Sequence, residues 1–291
     1  MPPRWYSPLR YQVATDRSNE YKNETKIGAN PLSARMAIAT FPEVTLLITH
    51  YNRSRSLERL LTALRNLGFS FGAIVVSDDG SRPEHVDRLQ QLRQQFNLHV
   101  VASERNRGLG HNFNQGQDAV TTEYTLYIQE DFVPNPEFVP AFAAALKILK
   151  DNPNMDIARF YAYFRYPFLT PLEHGFAEMQ FSQWSPGYRK FYMYSDHPHL
   201  RRSNFLEKFG RYREGVKGDV TEYQMMISFL HKKGKGIFFE RYQDLLIQQN
   251  SADEPSTMKR NFWRETNNYI VAMVRHFYRH IKINWDYLRG K

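Results

Sequence analysis

The sequence of 291 residues contains no cysteine, which excludes disulfide bonds, thiolate metal sites and cysteine nucleophiles. It also contains no run of about 20 apolar residues, the length that a membrane-spanning helix needs. The first residues, MPPRWYSPLRYQ, lack the continuous apolar stretch of a secretory signal. We therefore expect a cytoplasmic protein.

Acidic residues are too few to balance the basic ones, and the formal net charge is +9. Much of the excess lies in residues 258–291, where eight Lys or Arg residues stand against two acidic residues, a net +6. A basic balance favours partners that carry phosphate, such as nucleotides, anionic lipids or nucleic acids, and says little about the fold. The hydrophobic content of 42% is enough for a packed core.

Strand and helix patterns alternate after an irregular amino-terminal arm. Residues 1–42 are polar and contain five prolines. From residue 43 to 150, short apolar runs such as Val44–Ile48 alternate with segments of helical periodicity, which predicts an α/β fold with a mostly parallel central sheet flanked by helices. Residues 151–257 are less regular and rich in Phe and Tyr, and residues 258–291 predict a closing, basic amphipathic helix.

Polar side chains follow three of the predicted strands. They are Thr49, Tyr51 and Arg53 after the first, Asp78 and Asp79 after the second, and Gln129, Glu130 and Asp131 after the fourth. In an open parallel sheet, ligands bind in the crevice at the carboxyl ends of the strands. Each cluster alone could be a solvated turn, but their order and spacing together predict a nucleotide site.

Two further features suit a ligand that contains phosphate. Gly108 and Gly110 open a predicted helix, where backbone amides can approach an anion. No Gly-Lys-Ser/Thr follows them, so this is not a Walker loop. Asp131 is a candidate ligand for Mg²⁺ or Mn²⁺, which proteins often hold through one or two carboxylates and the oxygens of a diphosphate. Such an ion would also neutralise a leaving diphosphate.

These stretches resemble the donor half of the family 2 glycosyltransferases, which have the A-type nucleotide-sugar fold. The matching stretches are TLLITHYNR, VVSDDGS, NRGLGHNFN and YIQEDFVPNPEF, and a weaker match continues to about residue 251. The resemblance implies that residues 43–150 bind the donor and residues 151–257 bind the acceptor. It also implies that Thr49, Tyr51 and Asp79 hold the base, that Gly108 faces the diphosphate and that Asp131 binds the metal.

The sequence departs from the family pattern at the metal motif. Gln129 replaces the first aspartate of that motif, at a position that usually faces the ribose, where an amide can still donate a hydrogen bond. The family often has a histidine near the positions of Gln248 and Gln249, and this chain has none there. A weakly metal-dependent or metal-independent enzyme is therefore an alternative to a metal-dependent one.

The resemblance also implies a catalytic base near the start of the helix that begins at about residue 219. An inverting transfer needs a carboxylate to accept the proton of the acceptor hydroxyl. The family places this residue in a Thr-Glu-Asp motif, and Thr221 and Glu222 match it, while Tyr223 replaces the aspartate. Glu222 is the first candidate and Asp219 the second. Both could instead be acidic residues that stabilise the amino end of a helix.

The aromatic segment and the closing helix allow more than one interpretation. The tyrosines between residues 159 and 194 could stack on sugars or belong to the core, and His197 and His199 could contact a diphosphate. The apolar face that we predict for the closing helix comprises Phe262, Thr266, Tyr269, Ile270, Met273, Phe277 and Ile281. This helix could lie on the inner face of the membrane, pack on the sheet or form a homodimer contact.

The resemblance predicts an inverting glycosyltransferase. It would move a sugar from a nucleoside diphosphate donor, with UDP or dTDP as the nucleotide, to a hydroxyl of a glycan or a lipid-linked acceptor in surface polysaccharide synthesis. One alternative is a non-catalytic relative that binds sugar nucleotides or glycans. The other is a nucleic-acid-binding protein, which we do not favour because the basic charge is concentrated at one end and the acidic strand ends would repel phosphate.

Overall fold

The computed structural model describes residues 38–250, residue 254 and residues 269–290, and of residues 269–275 it describes the backbone alone. The strands are β1 (Ala39–His50), β2 (Phe69–Asp78), β3 (His99–Ala102), β4 (Tyr124–Tyr127), β5 (Phe132–Pro134), β6 (Ile157–Arg159), β7 (Leu169–Pro171), β8 (Phe176–Met179), β9 (His199–Arg202), β10 (Gly236–Phe239) and β11 (Leu246–Gln248). The helices are α1 (Ser54–Asn66), α2 (Pro83–Phe96), α3 (Leu109–Asp118), α4 (Phe138–Asp151), α5 (Phe205–Phe209), α6 (Gly218–His231) and α7 (Tyr269–Arg289), with 3-10 turns at Tyr188–Phe191 and Tyr242–Asp244.

A nine-stranded sheet forms the centre of the fold, in the order β3-β2-β1-β4-β9-β6-β10-β8-β7. The pairings of β1 with β2, of β1 with β4 and of β2 with β3 are parallel. Strands β8 and β9 run against the other strands of the sheet. The predicted α/β fold with a mostly parallel central sheet is thus confirmed, and every antiparallel pairing of this sheet involves β8 or β9.

Alternating side chains of the central strand supply both faces of the sheet with core residues. Leu46 and Ile48 of β1 face a core that α1, α2 and α4 cover, whereas Leu47 belongs to a second core that α3, α5 and α6 cover. Strand side chains point alternately to the two faces, so one buried run packs against helices on both. This double burial explains why the strand reads as a continuous apolar run rather than an alternating one.

The register of the sheet brings the carboxyl ends of three strands to one edge. His50 of β1 pairs with Asp78 of β2, and Leu47 of β1 pairs with Tyr127 of β4. The residues that follow these strands therefore lie close to one another. A separate antiparallel pair, β5 with β11, places Gln248 opposite Phe132 and so beside the end of the metal-motif segment.

Element boundaries differ modestly from the sequence predictions. Strand β1 begins at Ala39, before the predicted boundary at residue 42, and the earlier part of the predicted arm lies outside the described residues. Much of the aromatic segment is core rather than surface, because Tyr166 and Tyr194 are fully buried. Tyr163 and Trp184 of the same segment are exposed.

Helix α7 packs with a different face from the one that its sequence predicts. Phe277 and Ile281, from the predicted apolar face, are exposed, whereas Ile283 is buried. Phe262 and Thr266 lie outside the described residues. The helix contacts α6 and the 3-10 turn at Tyr188–Phe191 rather than the sheet. In the residues that the structure describes, no helix has the length and apolar character to cross a membrane.

Candidate active site

A cavity of about 870 Å³ opens at the carboxyl edge of the sheet. Ten of the eleven predicted site residues line it, namely Thr49, Tyr51, Arg53, Asp79, Gly108, Gln129, Glu130, Asp131, Asp219 and Glu222. Asp78 is the predicted site residue that does not. Much of the remaining wall comes from the second half of the chain, and it includes the tyrosines Tyr163 and Tyr192 of the aromatic segment together with residues that the sequence did not assign to a site: Arg159, Ala162, Phe164, Ser195 and Asp196.

Asp78 is held inside the protein by its own hydrogen bonds. Its Oδ1 lies 2.7 Å from His50 Nδ1, and its carboxylate accepts hydrogen bonds from the backbone amide and the hydroxyl of Ser81. Burial opposes ionisation of this carboxyl, but the hydrogen bonds from His50 and Ser81 prevail and lower the pKa of Asp78. These hydrogen bonds fix the turn after β2, so Asp78 has a structural role.

Asp79 lies at the amino end of α3 and faces the cavity. Its two carboxylate oxygens accept hydrogen bonds from the backbone amides of Arg107 and Gly108, at 2.8 and 2.9 Å. The anion that the glycine turn was predicted to receive is therefore, in this structure, the Asp79 carboxylate itself. Burial nevertheless raises the pKa of Asp79, because the two amide hydrogen bonds compensate only part of the loss of hydration.

The end of β1 supplies a polar floor to the cavity. Thr49 Oγ1 and the Tyr127 hydroxyl are hydrogen-bonded at 2.9 Å, and Tyr51 is half-buried. Asn112 donates to the carbonyl of His50 at 3.3 Å, while its own buried side-chain oxygen makes no hydrogen bond. That oxygen can accept a hydrogen bond from a ligand, so Asn112 is a site residue that the sequence reasoning missed.

Arg53 forms the ionic centre of the donor side. Its Nη1 lies 3.3 Å from Glu130 Oε1 and 3.4 Å from Asp131 Oδ2. Its Nη2 donates to Asn250 Oδ1 at 2.7 Å and to the carbonyl of Glu254 at 3.3 Å. All three charged side chains are buried, so the guanidinium supplies the positive charge that two neighbouring carboxyls need.

The two acids after β4 differ in their environment. Burial raises the pKa of Glu130 to about 7, against the opposing charge of Arg53. Asp131 accepts a hydrogen bond from Gln248 Nε2 at 2.9 Å through Oδ2, while its buried Oδ1 makes no hydrogen bond. Gln248 thus lies where the family often has a histidine, and β11 brings it to Asp131.

The residues around Asp131 fit a divalent cation that is coordinated mainly by a bound diphosphate and by water, rather than by protein side chains. The unpartnered Asp131 Oδ1 offers one hard oxygen ligand, which suits Mg²⁺ or Mn²⁺. Over the described ranges, no cluster of three or more His, Cys, Asp or Glu side chains could hold a metal. A cation at Asp131 would therefore need diphosphate oxygens and water to complete its shell, and Arg53 stands beside it with a fixed positive charge.

The part of the cavity wall that comes from the second half of the chain carries three acidic side chains. Asp219 and Glu222 lie in the first turns of α6, and Asp196 follows Tyr194 in the loop before β9. Glu222 Oε1 accepts a hydrogen bond from the backbone amide of Asp196 at 3.2 Å. The Tyr194 hydroxyl donates to Asp196 Oδ1 at 2.9 Å. Asp196 was missed at the sequence level, because a lone acid in an aromatic segment gives no signal of a site.

Burial raises the pKa values of two carboxyls of this wall. It raises the pKa of Glu222, while the backbone amide of Asp196 and the charge of Arg159 work in the opposite direction. The pKa of Asp196 lies well above its ordinary value, because of burial and because of the neighbouring charge of Glu222. A raised pKa makes the Glu222 carboxylate a better proton acceptor, which is what a general base requires.

Two histidines, His197 and His199, were candidates for contact with a diphosphate, and the structure places one of the two in the cavity wall. Burial lowers the pKa of His197 to about 3, with a further contribution from Arg159, so its imidazole is neutral in the cavity wall. His199 is wholly buried and bonded to the carbonyl of His197 through Nδ1, at 2.7 Å. Only His197 lines the cavity, as a neutral hydrogen-bonding group.

The open α/β sheet has a polar cavity at the carboxyl edge of its strands, which is where proteins of this architecture bind their ligands. The family model described as glycosyl transferase family 2 matches residues 45–210. The chain belongs to this family, and it has the A-type fold.

The relatives agree with this assignment. EpsH of Bacillus subtilis (strain 168), whose name describes a glycosyltransferase, is 27% identical over 123 residues, which are 42% of this chain and 35% of EpsH. The chain thus spans about a third of that curated relative. TarS of S. aureus, residues 1–349 in complex with UDP-GlcNAc, has a similar fold, with a TM-score of 0.56, 15% identity and coverage of 85% of this chain and 72% of that chain. A second TarS structure gives a TM-score of 0.54 at 18% identity, over 72% of this chain and 37% of that chain.

Proposed function

We propose that the protein transfers a sugar from a nucleoside diphosphate donor to a hydroxyl of a glycan or lipid-linked acceptor, with inversion at the anomeric carbon. One observation supports the proposal: a single cavity is lined both by the predicted donor residues and by the three acidic side chains Asp196, Asp219 and Glu222. A donor site and a proton acceptor in the same cavity are what a direct displacement by the acceptor needs.

The donor wall would bind the nucleotide through the ends of β1 and β2. Thr49, Tyr51 and Asp79 would contact the base, and the imide of uracil or thymine could donate to the Asp79 carboxylate. Each oxygen of the Asp79 carboxylate accepts one backbone amide, from Arg107 and Gly108, which leaves acceptor capacity for the base and holds the carboxylate in place.

The leaving diphosphate needs positive charge. A cation bound at Asp131 would supply Lewis-acid stabilisation of that group. Arg53 supplies part of the same charge without a metal, since its guanidinium lies within 3.4 Å of both acids of this wall. Gln129, which lines the cavity, would donate its amide to the ribose. We therefore expect metal to strengthen donor binding without being indispensable to it.

The acceptor wall would carry out the proton transfer. The acceptor oxygen bonds to the anomeric carbon, the bond from that carbon to the diphosphate oxygen breaks, and the hydroxyl proton passes to a carboxylate of this wall. Glu222 is the base that we propose, because it matches the family motif and its raised pKa suits a proton acceptor. Asp219 stays the second candidate. Asp196 holds Glu222 in place through its backbone amide.

UDP-GlcNAc is the first donor to test, because the TarS fold relative was crystallised with it. Calorimetric titration of UDP-GlcNAc and dTDP, with and without Mn²⁺, should show binding of one nucleotide that Mn²⁺ strengthens. Asp131→Asn should abolish the metal effect and leave the metal-free affinity within about threefold, since the change removes a ligand and little volume. Asp151→Asn, an exposed acid at the end of α4, is the matched control.

The base is tested by turnover. Glu222→Gln should slow donor hydrolysis, or transfer once an acceptor is known, by about 10²–10⁴-fold while nucleotide affinity stays unchanged. Full activity of this variant together with an inactive Asp219→Asn would assign the base to Asp219. Nucleotide binding with no turnover against a broad acceptor panel would instead favour the non-catalytic relative. Absence of nucleotide binding under every condition would contradict the proposal.

A further inference from the structure

Helix α7 has one apolar face that packs on the protein. Ile283 is buried, and the ring of Tyr287 contacts Phe181 at 5.2 Å and stacks on His231 at 4.6 Å between ring centres. Tyr223 of α6 donates to Asp286 at 2.6 Å and fixes the same side. These contacts account for the stability of the helix on the body, and they leave its other side free of contacts from α6.

The other side of α7 presents a second apolar stripe to solvent. It consists of Phe277, Tyr278, Ile281, Trp285 and Leu288, each between 53% and 66% exposed. Their spacing of three or four residues puts them on one face of a helix. Soluble proteins seldom leave such a contiguous row of large apolar side chains uncovered, so the stripe is expected to meet a partner surface.

Positive charge borders this stripe. Lys282 and Arg289 lie next to it by helical position, and the Arg289 guanidinium stacks over the Trp285 ring at 4.1 Å. Lys232 and Lys233, both exposed, follow α6 directly beyond His231, which stacks on Tyr287. The one acid between residues 276 and 290 is Asp286, which is bound to Tyr223 and Lys282. The border is therefore cationic and carries little opposing charge.

We propose that this stripe is a docking surface for an anionic membrane. A helix with a row of Trp, Phe and Leu flanked by Lys and Arg is the form that lies in the plane of the lipid interface, with the rings at the level of the headgroups. The basic border attracts anionic lipid by roughly 1 kcal/mol per Lys or Arg near the surface. A second copy of the chain fits less well, because two stripes brought face to face would also bring two cationic borders together.

The packed side of α7, opposite the stripe, is connected to the cavity through a series of aromatic contacts. His276 of α7 contacts Tyr188, Tyr188 contacts Tyr192, and Tyr192 contacts Phe164, with ring centres 5.0, 6.2 and 5.5 Å apart. Tyr192 and Phe164 line the cavity. A membrane that touches α7 would thus lie on the aromatic side of the active site. This second step rests on the proposed function, and it selects a lipid-linked acceptor over a soluble glycan.

Vesicle cosedimentation of the full chain tests the membrane contact without any nucleotide or sugar. We expect pelleting with vesicles of phosphatidylcholine and phosphatidylglycerol, little pelleting with phosphatidylcholine alone, and loss of binding as salt rises. Phe277→Ser combined with Trp285→Ser should weaken binding about tenfold or more. Arg289→Glu should reduce the preference for anionic lipid. Leu172→Ser combined with Ile247→Ser, two exposed apolar residues outside α7, should bind like the unmodified protein.

The contrary outcomes are distinct. If the protein does not pellet with either vesicle and light scattering shows a dimer that the Phe277 and Trp285 substitutions dissociate, the stripe is a contact between two copies. A monomer that binds no vesicle shows that another segment of the chain covers the stripe. Either result overturns the proposal, and neither affects nucleotide binding, which the separate calorimetric titration measures. Circular dichroism of each variant establishes that it is folded.

Discussion

Gly110, in the first turn of α3, lies close to the backbone of Arg213, in the segment that precedes α6 and the proposed base Glu222. An ideal Cβ at this position would stand 2.1 Å from the carbonyl oxygen of Arg213. Ordinary van der Waals contact begins near 3.4 Å, so Gly110→Ala requires a displacement of about 1.3 Å. The carbonyl of Arg213 cannot swing aside freely, because Thr221 Oγ1 donates to it at 3.0 Å.

We expect Gly110→Ala to cost stability and activity together. Forcing a methyl group into a packed site costs about 1–3 kcal/mol, and the higher helix propensity of alanine returns at most about 1 kcal/mol. For a chain of this size, a net loss of about 1–2 kcal/mol lowers the melting temperature by about 2–8 °C. A displacement of about 1 Å between Gly108 and Glu222 would slow turnover by about 100-fold.

Thermal melting followed by circular dichroism measures the first effect, and donor hydrolysis measures the second. Gly218→Ala is the matched stability control, since an added Cβ there would meet only the flexible side chain of Leu109, at 3.3 Å. This control should change the free energy of unfolding by no more than about 0.5 kcal/mol. If Gly110→Ala melts at the same temperature as the unmodified protein, the close contact between α3 and Arg213 does not exist and the reasoning is refuted.

Three further substitutions test charges that the structure assigns. Arg159→Gln should move the rising limb of the pH–activity profile to higher pH. The reason is that Arg159 lowers the pKa of the proposed base Glu222, which must lose its proton to act. The pH dependence of turnover measures this shift. Asp78→Asn should cost about 1.5–3 kcal/mol at pH 7, measured by urea unfolding. The pKa of Asp78 is lower in the folded protein than in the unfolded chain, where it is near 3.9. The ionised carboxylate therefore stabilises the fold above the unfolded pKa, and this stabilisation is lost as the pH falls through the folded pKa. The difference in stability between Asp78→Asn and the unmodified protein should thus disappear in acid. Tyr223→Phe, which removes the hydrogen bond to Asp286, should cost about 1 kcal/mol and speed hydrogen exchange in α7.

The donor wall could be predicted because its information is local. A strand buried on both faces must read as an apolar run, and polar residues directly after such a run must lie at the edge of the sheet. Thr49 lies at the carboxyl end of β1, Asp79 follows β2 and Asp131 comes shortly after β4, so their convergence in one cavity follows from the parallel order of β2, β1 and β4. The roles of these residues stay predictions that nucleotide titration must test.

Asp78 shows where local information ends. It is adjacent to Asp79 and of the same type, yet it turns inward to His50 and Ser81 while Asp79 turns to the cavity. Successive residues at the end of a strand point to opposite sides, and which side holds the ligand depends on the helix that packs there. The sequence names both acids and cannot distinguish between them.

The amino-acid sequence by itself determined the α/β class, the alternation of strands and helices in residues 43–150 and the polar edge of the sheet, because periodicity and strand-end chemistry are properties of neighbouring residues. Tertiary structure decided the acidic wall, where Asp196 and Glu222 meet although they lie in different elements. It also decided which face of α7 packs, since Ile283 and Tyr287 find partners in α6 and around the turn at Tyr188–Phe191. Burial and pairing between distant segments depend on the position of every element, and no stretch of sequence encodes that alone.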